Sequence, residues 1–191
     1  MQYDFDSYLL YEVSPMASYT VKVRIELTVP VDGAVLRDAA EKAFRRFPYF
    51  SRTVRVNEEG AFELQPSREP VTVMKEDTPV VLGSPQTHGL LFAITYEGNT
   101  VFFNFCHNFC GGCGCMPWIR ATLWQYLTDI GYDISPEGIP IPGSPILPGE
   151  TKLPDPLSFP EEKPIGEYHG GDSFVPLEDY MAFYQNPSAA V

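Results

Sequence analysis

The sequence has little positive charge: 13 Lys and Arg stand against 25 Asp and Glu, a net of −12. A protein that neutralises nucleic-acid phosphates needs a basic surplus to release counterions, so no nucleic-acid partner is expected. Long hydrophobic runs are missing too. None approaches the roughly 20 apolar residues that span a bilayer, so no membrane span is expected. The opening MQYDFDSYLL carries acids where a signal peptide carries bases. There is no P-loop, no G-x-G-x-x-G and no G-x-S-x-G, which removes the common phosphate cradles and the strand-to-helix nucleophile elbow. Cysteine is scarce: Cys106, Cys110, Cys113 and Cys115 all fall within ten residues, a poor framework for stapling distant loops. The expectation is a soluble cytoplasmic protein with reduced thiols.

At 44% apolar and 20% charged residues the chain reads as globular, and its length suits one core burying about 70% of the unfolded surface. In YTVKVRIELTV, Val21, Val23, Ile25, Leu27 and Val29 alternate with polar residues, the period of a half-buried strand. Asp32 is a predicted N-cap. Val35, Leu36, Ala39, Ala40, Ala43, Phe44 and Phe47 then recur at helical spacing until Pro48. Strand-like runs follow at SRTVRV, AFELQ and VTVM. LLFAITY and TVFFNFC flank Glu97-Gly98-Asn99, a hairpin turn. A second helix is predicted over Pro117 to Thr128. This order implies an α+β fold, a mostly antiparallel or mixed sheet with helices on one face. Residues 134–191 hold 11 of the 19 prolines. They read as an extended proline-rich arm or linker, with a short helix near LEDYMAFY, following a subdomain over 1–133.

The chemically unusual residues lie in FNFCHNFCGGCGCMPW. An apolar strand ends at Cys106-His107, passes Gly111-Gly112 and enters a helix. A neutral imidazole accepts a proton near pH 7, and helix N-terminal amides nearby favour developing negative charge. A histidine hydrogen-bonded at a strand end is the plain structural alternative.

FCHNFCGGCG resembles the HHxxxDG motif of the chloramphenicol acetyltransferase-like superfamily, which includes condensation domains and alcohol acyltransferases. His107 falls on the second histidine and Gly112 on the final glycine; Cys106 replaces the first histidine and Gly111 the aspartate. LRDAAEKAFRRFPYFSRTVRV is similar to the upstream helix-then-strand segment, with Arg46-Phe47-Pro48-Tyr49-Phe50 on its R-[HF]-P-x-[LF] run, and WIRATLWQYL falls on the helix after the motif. The resemblance covers roughly residues 5 to 130. It implies that His107 is the general base and that Asn108, Gly111 and Gly112 line a substrate tunnel. The acyl donor would be a coenzyme A or carrier-protein thioester, used as substrate with no tightly bound cofactor, and the acceptor a small-molecule alcohol or amine.

The departures from the motif bear on the loop. The family aspartate pairs with an arginine from the helix-to-strand segment, but Gly111 accepts no such pair, and Ser51 stands where that arginine is common, with Arg52 next. Losing both halves together avoids an unpaired buried charge. A noncatalytic binding or assembly module that keeps the fold is the other reading. Relatives place their tunnel between two subdomains, and 191 residues supply about one. A second subdomain, a partner chain or self-association is therefore expected to complete the site, across an interface above about 1,000 Å².

The four cysteines also admit a metal reading, Zn²⁺ or an iron–sulfur cluster, in which His107 could substitute as a nitrogen ligand. Cys106-x3-Cys110-x2-Cys113 has radical S-adenosylmethionine spacing, but only 76 residues follow Cys115, too few for such a barrel. His88 reads as a surface residue, and His169-Gly170-Gly171 as a weak oxyanion-hole turn. Glu58-Glu59 and Glu161-Glu162 read as solvated pairs. Eight of the 13 basic residues lie between Lys22 and Arg55, where a coenzyme A phosphate could bind, although Arg37, Lys42, Arg45 and Arg46 suit a solvated helix face. Trp118 and Trp124 suit a core or subdomain interface.

Overall fold

Alternation in β1 (Thr20–Glu26) places Val21, Val23 and Ile25 on one face of a sheet. That face is set by pairing with β6 (Thr100–Cys106), where Val21, Val23 and Ile25 lie opposite Phe105, Phe103 and Val101. A computed structural model describes residues 20–60, 62–107, 110 and 112–147. The helix near LEDYMAFY, His169 and Glu161-Glu162 lie outside the described residues, as does everything beyond 147.

The sheet has the order β1-β6-β5-β4, with β5 at Phe92–Glu97 and β4 at Thr72–Lys75. β5 and β6 form the expected hairpin around Gly98, whose φ of 56° suits a residue without a Cβ. β4 runs parallel to β5, so the sheet is mixed. β2 (Arg52–Val56) and β3 (Phe62–Pro66) form a separate two-stranded ribbon. β1 stops short of the alternating run in the sequence. Its partner strand begins at Thr100, so beyond Glu26 the chain bonds to the turn instead, Leu27 N–H to Asn99 O and Val31 N–H to Gly98 O, both at 2.8 Å.

Helix α1 (Gly33–Arg46) begins where the sequence places it. Asp32 accepts hydrogen bonds from Ala34 N–H and Val35 N–H at 2.9 and 3.2 Å. The Asp32 N–H donates to the Tyr126 hydroxyl at 3.0 Å, and a Cβ on Gly33 would lie 2.0 Å from the Tyr96 hydroxyl. Ala39, Ala40 and Ala43 are buried, and their small side chains let α1 approach α2 (Gly112–Asp129) closely. α2 starts five residues before the predicted proline. Pro117 removes one backbone donor, and the helix carries that single loss near its start.

Trp118 is fully buried under both helices and the sheet. Its ring meets Phe44 and Phe50 at centroid distances of 6.5 and 6.1 Å, and Phe92 and Phe103 at 5.4 Å each, all edge-on. Trp124 is half-buried and donates its indole N–H to Ile134 O at 2.9 Å. Arg46 corrects the expected solvated basic face. It is 5% exposed, its Nε donates to Ser144 Oγ at 2.8 Å, and its guanidinium lies 5.6 Å from the Phe47 ring centre. The segment after α2 covers it. Lys42 pairs with Asp129 at 2.9 Å and Arg45 with Glu41 at 3.5 Å, as an outward face would.

The sheet's other face carries a polar network. Lys22 donates to Glu76, and so does the buried Thr95 hydroxyl, which in turn accepts from the buried Asn104 amide at 3.2 Å. Burial pushes the Glu76 carboxyl up, but hydrogen bonds from Lys22 and Thr95 with the Lys22 charge outweigh it and hold the group below its ordinary value. Among the described residues no helix is long and apolar enough to cross a membrane.

Two outcomes follow for stability. Trp118→Ala should cost about 3–5 kcal/mol by urea denaturation, a large share of the roughly 5–15 kcal/mol of a typical domain. Glu76 is depressed in the folded state, so its contribution is complete above the unfolded carboxyl value and is lost as pH falls through the lower folded one. Wild type should therefore exceed Glu76→Gln in stability at about pH 7, and the gap should close on acidification below the ordinary carboxylate range. A gap independent of pH would remove the carboxylate from the network's energetics.

Candidate functional site

β6 is an inner strand, held by β1 on one side and β5 on the other, so its end is well fixed. Cys106 N–H donates to Leu91 O at 3.1 Å, and Cys106 O accepts from Cys110 N–H at 3.5 Å. His107 is the first residue past that strand. It sits in a turn with its side chain exposed, while Cys106 beside it is a buried thiol. His107 is thus exposed at the end of an inner strand, whereas Phe103 and Phe105 are fully buried. Gly112 opens α2, so His107 and Gly112 bracket the strand-to-helix connection. Asn108 and Gly111, the other two residues expected at the tunnel, lie outside the described residues.

The cysteines correct the expectation of reduced thiols. Cys110 and Cys115 form a disulfide with Cα atoms 6.4 Å apart. Their separation in sequence is too short to staple distant loops, but the helical start of α2 folds Cys115 back within bridging distance of Cys110. In this structure those two residues are cystine and not a pair of thiolate ligands. No group of three metal-ligating side chains meets among the described residues.

Arg52 places its guanidinium 5.3 Å from the Tyr49 ring centre. His88 is exposed, with Nδ1 4.0 Å from Glu69 Oε2. Two clefts lie away from His107. One of about 360 Å³ is lined by Glu76, Tyr96 and Gly98 among others; a second of about 430 Å³ lies between the β2–β3 ribbon and the 83–89 loop. Sequence reading missed the disulfide and the Lys22–Glu76–Thr95–Asn104 network. The only signal for the latter was shared parity along β1, β5 and β6, which has no meaning until the register is known.

No protein-family model and no curated protein matches the sequence. Solved structures do. Polyketide synthase associated protein 5 from Mycobacterium tuberculosis superposes with a TM-score of 0.50 at 14% identity, covering 76% of this chain and 35% of that one. The starter condensation domain of rhizomide synthetase RzmA matches with a TM-score of 0.49 at 12% identity over 66% of this chain and 36% of that one. The first condensation domain of the calcium-dependent antibiotic synthetase matches with a TM-score of 0.45 at 18% identity over 69% and 38%. The chain spans about a third of the length of each. At such identities the likeness is one of fold. Over part of its extent the chain shares the α+β fold of polyketide synthase associated protein 5.

Proposed function

We propose that this chain is one subdomain of an acyltransferase, with His107 as the general base. The observation that carries this reading is the exposed imidazole at the end of inner strand β6, one short connection before α2, in a fold shared with condensation domains. A neutral imidazole takes the proton of an acceptor hydroxyl or amine as the oxygen or nitrogen attacks the thioester carbonyl. The tetrahedral intermediate collapses with loss of thiolate, and the imidazolium returns its proton to that sulfur. The donor is a coenzyme A or carrier-protein thioester, and the acceptor a small alcohol or amine.

The first histidine and the aspartate of the family motif are Cys106 and Gly111 here. The Cys110–Cys115 cross-link supports the reading despite this, because it restrains the connection between His107 and α2 where glycine offers no side chain to anchor it. A thioester tunnel needs a second wall, and the chain spans about a third of the structures it matches. A second subdomain, partner chain or second copy supplies that wall.

The test is acyl transfer from acetyl-coenzyme A to a panel of alcohols and amines, run on the intact assembly with wild type and His107→Ala. A positioned general base contributes about 10²- to 10⁴-fold, so the variant should lose that factor in kcat with a small change in KM. His107 is exposed, so the thermal midpoint should hold. Equal rates would remove the imidazole from the mechanism. Sedimentation of the purified chain should show a species heavier than one copy, or a monomer that is active only with an added partner chain.

A further inference from the structure

The larger cleft has the features of a pre-built anion site. Its walls are the β2–β3 ribbon and the 83–89 loop, and they are tied together by an antiparallel bridge between Thr53 and Leu90. The loop is stiff. Gly89 N–H donates to Ser84 O at 2.9 Å, Gly83 N–H donates to Leu90 O at 2.8 Å, and the buried Thr87 hydroxyl donates to Leu90 O at 2.8 Å. Close contact shapes the floor, since a Cβ on Gly89 would lie 3.3 Å from Thr53 Cγ2. His88 is held at φ 54°, the only non-glycine residue with positive φ among the described residues. Backbone held in that region tends to mark ligand clamps.

Three groups able to carry positive charge line this cleft: Arg55, Arg68 and His88. In a chain with only 13 basic residues and a net charge of −12, that concentration is unusual. Lys22, Lys42 and Arg45 all have carboxylate partners, whereas neither Arg55 nor Arg68 has an ion pair or hydrogen bond to a described residue. A nearby carboxylate is Glu69, 4.0 Å from His88 Nδ1, and the backbone of Arg55 pairs with that of Glu63 in the ribbon. Guanidinium forks match phosphate oxygens in pairs, and two of them balance a phosphate dianion.

We propose that the cleft between the β2–β3 ribbon and the 83–89 loop binds a small organic phosphate, gripped by the Arg55 and Arg68 guanidiniums with His88 as a third donor. The cleft does not include His107, so the site stands or falls apart from acyl transfer. Inorganic pyrophosphate is the probe, titrated calorimetrically into the full chain in about 0.1 M salt, where surface charge beyond roughly 10 Å is screened. One saturable site per chain is expected. Arg55→Gln and Arg68→Gln should each weaken it about tenfold or more, the scale of losing a charge-assisted hydrogen bond. The double Arg→Lys variant, which keeps charge but loses the forks, should fall between wild type and the double Gln variant. Both arginines are exposed, so unchanged thermal midpoints without ligand are expected, and the Lys pair covers any Gln variant that misfolds. Absence of saturable binding, undiminished binding by either double variant, or tighter binding of citrate than of pyrophosphate would overturn the proposal.

Discussion

Packing around Trp118 fixes how the layers of this protein meet. Four phenylalanines, one from α1, one from the turn after it, and one each from β5 and β6, present to the indole at steep angles. Edge-on contacts of this kind are directional, so they set the rotation of a helix as well as its distance from a sheet. Among the described residues the buried indole N–H has no hydrogen-bond partner. Leaving it so costs about 1–3 kcal/mol, which the surrounding ring contacts must outweigh for the arrangement to hold. Because Trp118 lies in the second turn of α2, its placement also fixes the start of that helix and hence the far end of the connection that begins at His107.

That connection is constrained at both ends by different physics. On the strand side, Cys106 pairs with Thr20 of β1 and donates its N–H to Leu91 O just before β5. On the helix side, a covalent cross-link joins Cys110 to Cys115. The histidine stands between a rigid sheet and a tethered helix turn. The Arg52 guanidinium lies 5.3 Å from the Tyr49 ring centre.

Local elements were legible in the sequence because their signals are local. Asp32 capped the helix it was expected to cap, and the Gly98 turn joined the strands it was expected to join. The same reading could not see that β1 pairs with a strand some 80 residues later, nor that β4 runs parallel to β5, since neither pairing leaves a mark within either strand. Arg46 read as solvated because its helix neighbours Lys42 and Arg45 are; the return of the chain at Ser144 helps to bury it. His107 and Gly112 stood out in the sequence through a resemblance to a family motif, whereas the disulfide depends on a helix beginning five residues before the proline that marked its start. The Arg55–Arg68–His88 cleft draws on residues from two segments that the Thr53–Leu90 bridge helps bring together.

The Asp32-Gly33 dipeptide has a wider role than starting a helix. Its backbone N–H is claimed by a tyrosine on α2, and the space where a methyl group would stand is filled by a tyrosine on β5. Three layers are therefore keyed to one another at a single pair of residues. Inserting or deleting even one amino acid between β1 and α1 would disengage both tyrosines at once, so the length of that short link is a fixed dimension of the molecule and not a tolerant spacer.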